Sequence, residues 1–367
     1  MAESGVKSKL GQRSWPAAGR RPGWALLAVL VMGGCGTARI LPPVSPFPPV
    51  SRWELPLAAP LASPLATDGN LVFAVSSTGI LTAIDPVTGR TVWIRAAMNP
   101  GFVAARSGFL VFVEKGGLVW GLNPADGNGE WKTATRVQDV QSVRLDGNRI
   151  FVGGASGIAA LVVSTGERRF DLPAKDVRDI DAAGDWVAAL EEGSLQVRRR
   201  EDGGIRFRLQ SPEGAFGAPA VFPDGRMVVG SGDRLVRAIS PEGKFTWRFR
   251  VGARMKDRPL DYLDGRRVGV ASFEGVFYEL SLRGGDMKNR VLLPSRPYGA
   301  PVLRAGRIFV PVFEDEIVVI DVGTTKLFGR ARYGGGFLTP PILAQGRLVA
   351  EITGPRRIVA LEMAPER

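Results

Sequence analysis

Apolar and polar residues alternate in short stretches that recur along this chain. In residues 245–250, Phe245, Trp247 and Phe249 fall on one side of an extended backbone, and Thr246, Arg248 and Arg250 on the other. In residues 205–209, Ile205, Phe207 and Leu209 oppose Arg206 and Arg208. A period of two marks a strand with one packed face, so the large residues are expected to pack between sheets. Runs of a second kind are almost wholly apolar, such as LVFAV, FLVFV and RIFVPV, and each follows a glycine. These glycines are Gly69, Gly108, Gly147, Gly184, Gly225, Gly265, Gly306 and Gly346, and they recur at nearly constant intervals. Residues 63–95 make one full unit: a strand ending in a turn at TDGN, a strand through LVFAV, a strand ILTAI, a turn DPVTG and a strand RTVWIR. A unit of about 40 residues with four antiparallel strands and no helical period predicts an all-β propeller.

The last unit is incomplete. After Gly346 it has its second and third strands, but the chain stops at Arg367 without a fourth. Residues 51–57, SRWELPL, read as a fourth strand placed before the first unit, and Trp53 precedes Trp93 by one repeat period. The expectation is an eight-bladed β-propeller of four-stranded antiparallel blades, the last completed by the N-terminal strand; seven blades with a separate strand is the alternative. The propeller is assigned residues 51–367.

Composition narrows the chemistry. One cysteine in 367 residues excludes an internal disulfide, and the absence of histidine removes the commonest general base near neutral pH. The net charge is +12; residues 1–34 hold five Lys/Arg and one Glu, which leaves 43 − 35 = +8 on the remainder. That balance suits anionic partners such as lipid headgroups, or simply solvated outer strands.

Lys7, Lys9, Arg13, Arg20 and Arg21 precede a short apolar run at positions 24–32. This is too short to span a bilayer, and a charged region followed by a short apolar one describes an export signal. The run ends Met32-Gly33-Gly34-Cys35 and resembles a bacterial lipobox. The resemblance implies a signal peptide over 1–34, removed before Cys35, which is then lipidated (diacylglycerol and palmitate). Gly36 rather than Asp follows, which in similar Gram-negative lipoproteins implies the outer membrane. Residues 35–50, with their run ILPPVSPFPPV, read as a tether; at ~3.1 Å per residue it reaches roughly 30 Å.

The run LVFAVSSTGILTAIDPVTGRTVWIR resembles a quinoprotein-type (PQQ-like) repeat, through Gly79, Leu81, Asp85, Thr88, Gly89 and Trp93. Gly127 and Trp131, Gly166 and Phe170, and Gly243 and Trp247 keep parts of the pattern; the fourth, sixth and seventh units are degenerate. Lipobox, Pro-rich tether and eight such blades together resemble the BamB lipoprotein family of the outer-membrane β-barrel assembly machinery. The resemblance implies a non-enzymatic scaffold, a monomer within a complex, facing the periplasm and docking on BamA-like barrel-inserting subunits. Within residues 254–265, only Asp257 matches the family's acidic docking loop; Met255 stands at the neighbouring acidic position.

Two other readings compete. A quinoprotein dehydrogenase of the resembling kind needs a vicinal cysteine pair, which one cysteine cannot supply, and no cofactor, metal or catalytic residue is assigned. Another periplasmic PQQ-like lipoprotein, binding a glycan, a small ligand or an envelope protein, remains open. Glu191-Glu192 and Glu314-Asp315-Glu316 read as solvated turn charges, and Arg198-Arg199-Arg200 as a charged outer edge. Gly334-Gly335-Gly336 has no helix after it and is no phosphate loop. No nucleic-acid recognition motif is present.

Overall fold

A computed structural model describes residues 50–362, apart from 97–98, 212–215, 305, 314, 334 and 338. Lipidation at Cys35, the signal peptide and most of the tether lie outside the described residues. The strands form eight separate four-stranded sheets. Seven run in chain order from the innermost strand to the outermost, as in Gly101–Arg106, Phe109–Glu114, Leu118–Leu122 and Gly129–Ala134 of blade two. The eighth is composite. Ile342–Ala344, Arg347–Ile352 and Arg357–Glu362 supply three strands, and Val50–Pro56 supplies the outermost. Its register sets Trp53 opposite Ala360 and Pro56 opposite Arg357, so the N-terminal strand does complete the last blade. The eight periodic glycines all take positive φ, from +54° to +100°, in the hairpin between the first two strands of each blade.

Burial explains why the ring closes. The apolar core divides into eight clusters, one at each seam between neighbouring blades. Leu65 and Val72 of blade one meet Val349 and Ile358 of blade eight in the cluster that joins the two ends of the chain. A single blade has no core of its own, because its two faces are buried only against its neighbours.

The sharp sequence signature has one physical cause. In six of the eight blades the aromatic of the outermost strand lies on the turn glycine of the next blade. A Cβ on Gly89 would stand 2.6 Å from Trp53, and one on Gly127 2.8 Å from Trp93. Gly166 meets Trp131, Gly203 meets Phe170, Gly243 meets Phe207 and Gly285 meets Trp247 in the same way. The indole N–H of Trp53, Trp93, Trp131 and Trp247 donates to the carbonyls of Pro86, Pro124, Val163 and Leu282, at 2.9–3.1 Å. Between blades six and seven the pair changes: Asn289 stands in the tryptophan's place and its Nδ2 donates to the Thr325 carbonyl at 3.3 Å. Blade seven has Gly329 at that position.

One packing expectation is corrected. Phe245 and Ile205, first in their alternating triplets, are 46% and 52% exposed, and only the second and third members reach a seam. The ladder stays paired at Phe245 and Ile205, but its register shifts between each of them and the tryptophan's place.

Candidate functional site

The innermost strands surround a central funnel. A cavity of about 570 Å³ opens there, lined by backbone and side chains of blades one to four, including Thr67, Phe102, Gln141, Arg144 and Asp179, and by Arg258. Arg258 sits on the connection that enters blade six, residues 251–259, yet its guanidinium pairs with Asp179 and Asp181 of blade four and donates to the Ile180 carbonyl at 2.9 Å. Asp181 is the hub. It accepts the Val221 N–H of blade five at 2.8 Å and pairs with Arg144 of blade three at 3.0 Å. Four blades thus meet on one buried carboxylate. Burial works against the Arg258 charge, but Asp181 and Asp179 outweigh it and hold the guanidinium above its ordinary value. A buried charge of this kind is tolerated only when paired and hydrogen-bonded.

Asp257 occupies the same connection as Arg258. Its carboxylate is half-buried and accepts the Gly299 N–H of the connection into blade seven; burial raises it above the usual carboxylate range. Met255 is 3% exposed and packs into the seam of blades five and six, against Gly230. Arg254 and Lys256 point to solvent, and Leu263, at the next hairpin, is 81% exposed. The rigid part of this loop is therefore Met255 and Arg258, and the part open to a partner is Arg254, Lys256 and one side of Asp257.

Other clusters are placed differently from their sequence reading. Glu191 is 5% exposed and accepts from Gln196 Nε2 at 2.7 Å and from Arg208 at 3.4 Å. Glu316 is 2% exposed and pairs with Arg330 at 3.4 Å. These are interior carboxylates, not solvated turn charges, because each takes the inward-facing position where a hairpin meets its strand. Glu192 is exposed as expected; Glu314 lies outside the described residues. The arginine triplet also divides. Arg198 is buried and donates to the Gly203 carbonyl at 2.9 Å, Arg199 pairs with Asp202 at the surface, and Arg200 crosses to Asp146 of blade three. Only Arg199 fits a charged outer edge. Gly336 donates to Thr353 Oγ1 at 2.9 Å inside a hairpin-to-hairpin contact, with no helix beside it. Among the described residues no three His, Cys, Asp or Glu side chains cluster as a metal site would need.

The family described as outer membrane protein assembly factor BamB, of PQQ_2 repeats, matches residues 51–209. The outer membrane protein assembly factor BamB of Yersinia pestis is 22% identical over 361 residues, covering 88% of this chain and 84% of that protein. Among solved structures, BamB from Moraxella catarrhalis aligns over 87% of this chain and 99% of its own, with a TM-score of 0.64 at 14% identity. This chain is a BamB-like PQQ-repeat propeller. Sqt1 of Saccharomyces cerevisiae superposes as well, with a TM-score of 0.71 at 10% identity over 87% of this chain and all of that one, which marks how widely the fold alone is shared. The BamB likeness therefore rests on sequence, over blades one to four in the family match and over most of the chain in the Yersinia pestis relative, and on the repeat chemistry that builds the seams.

Proposed function

We propose that this BamB-like protein is a non-enzymatic scaffold in the assembly of outer-membrane β-barrel proteins. It is held by lipid on Cys35 at the periplasmic face of the outer membrane, after removal of residues 1–34, and is spaced from it by the tether. It works as one copy within a complex that contains a BamA-like barrel-inserting subunit. The observation that carries the reading is the relation to outer membrane protein assembly factor BamB along most of the chain. The structure supplies what a scaffold needs: a ring whose connections are held by cross-blade bonds, so that loops are displayed in fixed positions. On this reading Asp257, with Arg254 and Lys256 beside it, belongs to the docking loop.

Photo-crosslinking in native membranes tests this. Photo-reactive residues are placed at Arg254, Lys256 and Asp257, and at Lys132 on the far rim as a control. An adduct between the loop positions and a barrel-inserting protein is expected, with none from position 132. Adducts formed only with glycans or other envelope proteins would replace the assembly role with a binding role elsewhere in the envelope.

A further inference from the structure

The rim of the ring is built from the outermost strand of each blade, and its charge is divided in two. On every such strand, the side chains one before, one after and three after the tryptophan's place turn away from the seam. In blades four to seven these positions hold Arg206 and Arg208, Arg248 and Arg250, Lys288 and Arg290, and Arg330 and Arg332, with no carboxylate. In blades eight, one, two and three the same positions hold Arg52, Lys132 and Arg169 against Glu54, Glu130 and Asp171. One half of the rim is cationic and the other is neutral. Interior carboxylates account for two of the cations, since Glu191 pairs with Arg208 and Glu316 with Arg330. The other six are exposed; Arg206 faces Glu242 in the turn of blade five, and among the described residues no carboxylate is within ion-pair distance of the remaining five. The turns that border this half are balanced, with Glu201, Asp202, Glu242 and Asp286 against Arg199, Lys244, Arg283 and Lys326.

Protection of open strand edges explains charges on a rim, but either sign serves that purpose, and the neutral half uses both. A single sign over four neighbouring blades calls for a polyanionic counterpart. We infer that the rim of blades four to seven is a docking surface for anionic phospholipid bilayers. Two features favour a bilayer over an acidic protein. The apolar side chains among the cations, Phe245, Met287 and Leu292, are exposed singly at 45–46% instead of forming the buried apolar centre a protein interface uses. Singly exposed apolar groups between basic ones suit the headgroup layer of a membrane. In addition, the described chain begins at Val50, on the outermost strand of blade eight, which borders blade seven of the cationic half. The belt's charge itself does not depend on the lipid proposed above for Cys35.

A planar surface meets two blades at a time, so Arg248, Arg250, Lys288 and Arg290 form the centre of contact. The test is flotation of the full chain with phosphatidylcholine vesicles, with and without phosphatidylglycerol. Cys35→Ser is present in both arms so that acylation plays no part. Binding to phosphatidylglycerol vesicles above the phosphatidylcholine baseline is expected, weakening with salt as exposed charges are screened. Replacing the four central cations by Gln is expected to weaken it on the order of 10³-fold, at about 1 kcal/mol per basic residue near the surface. Lys132→Gln with Arg169→Gln on the neutral half leaves binding unchanged. An unaltered far-ultraviolet spectrum and melting curve confirm that the variants are folded. Equal binding to both vesicle types, or full binding by the fourfold variant, overturns the inference. Loss of an envelope protein from pull-downs of the fourfold variant, without any vesicle binding by the parent, makes the belt a protein surface and overturns it too. None of these outcomes bears on the crosslinks expected at Arg254, Lys256 and Asp257, so the two proposals fail separately.

Discussion

Gly127 measures how little room a seam leaves. Its φ is +73°, and a Cβ there would stand 2.8 Å from the Trp93 ring. Gly108 has a similar φ of +83° with nothing within 4 Å of the same position. Alanine at Gly108 therefore pays only for left-handed backbone, about 1 kcal/mol, whereas alanine at Gly127 must also displace the indole, for about 2–4 kcal/mol in all. Urea midpoints of the two variants check this, and equal losses would contradict the seam account. Glu351 makes a second case. It is 1% exposed at the seam of blades eight and one and accepts the Leu61 N–H at 3.4 Å; burial pushes its carboxyl above the ordinary value. A raised folded value means the native state holds this proton more tightly than the unfolded chain. Stability from this group is thus highest in acid and falls as pH rises through the window above the unfolded value. Glu351→Gln keeps the acceptor and removes the charge, so it is expected to raise the urea midpoint at pH 7 and to leave it unchanged below about pH 4. A loss of stability at pH 7 would show that the carboxylate is held by its surroundings and not merely tolerated.

At the scale of strands and turns, what the sequence reveals depends on how local the cause is. Trp53, Trp93, Trp131 and Trp247 are readable because each needs a glycine turn one blade ahead, and that requirement repeats. Phe170 and Phe207 stand in for tryptophan on Gly203 and Gly243, so their blades read as weaker copies while keeping the same contact. Asn289 with Thr325 is the same seam rebuilt from polar groups, and no apolar period betrays it. The buried charges are hidden for another reason. Glu191 and Glu316 have charged neighbours in a hairpin, and only the inward position of each on its sheet separates it from a surface residue. The candidate site is less legible still. Asp257 and Met255 can be picked out by resemblance, but that Met255 is core, and that Arg258 crosses to Asp181, follows from blades brought together by ring closure. Asp181 and Arg258 belong to different units of the repeat and stand at unrelated places within them, so no period in the chain pairs them.

For the molecule as a whole, closure is the decisive event, because a ring has no free seam. Seven seams are crossed by continuous chain. At the eighth, the chain also crosses, from Val50–Pro56 into blade one, but that strand belongs to blade eight only through its ladder with Arg357–Glu362. The ladder therefore does at one place what covalent connection does elsewhere. Val50 stands opposite Glu362, so a short hairpin loop would join them. A circular permutant made this way, with new ends in the connection between blades six and seven, has eight continuous blades and all the native contacts within each. Its open seam has no covalent link and is held by side-chain packing, the cluster around Leu293, Ile308 and Val310, with side-chain hydrogen bonds such as those joining Asn289 and Glu279 to Thr325. The permutant is expected to fold, with a lower urea midpoint than the parent and faster amide exchange confined to blades six and seven. Those amides would exchange by local opening, since no covalent connection links the two blades across the break. If the permutant matches the parent in both measurements, side-chain contacts alone hold a propeller shut, and the strand exchanged between the two ends of the chain serves something other than stability.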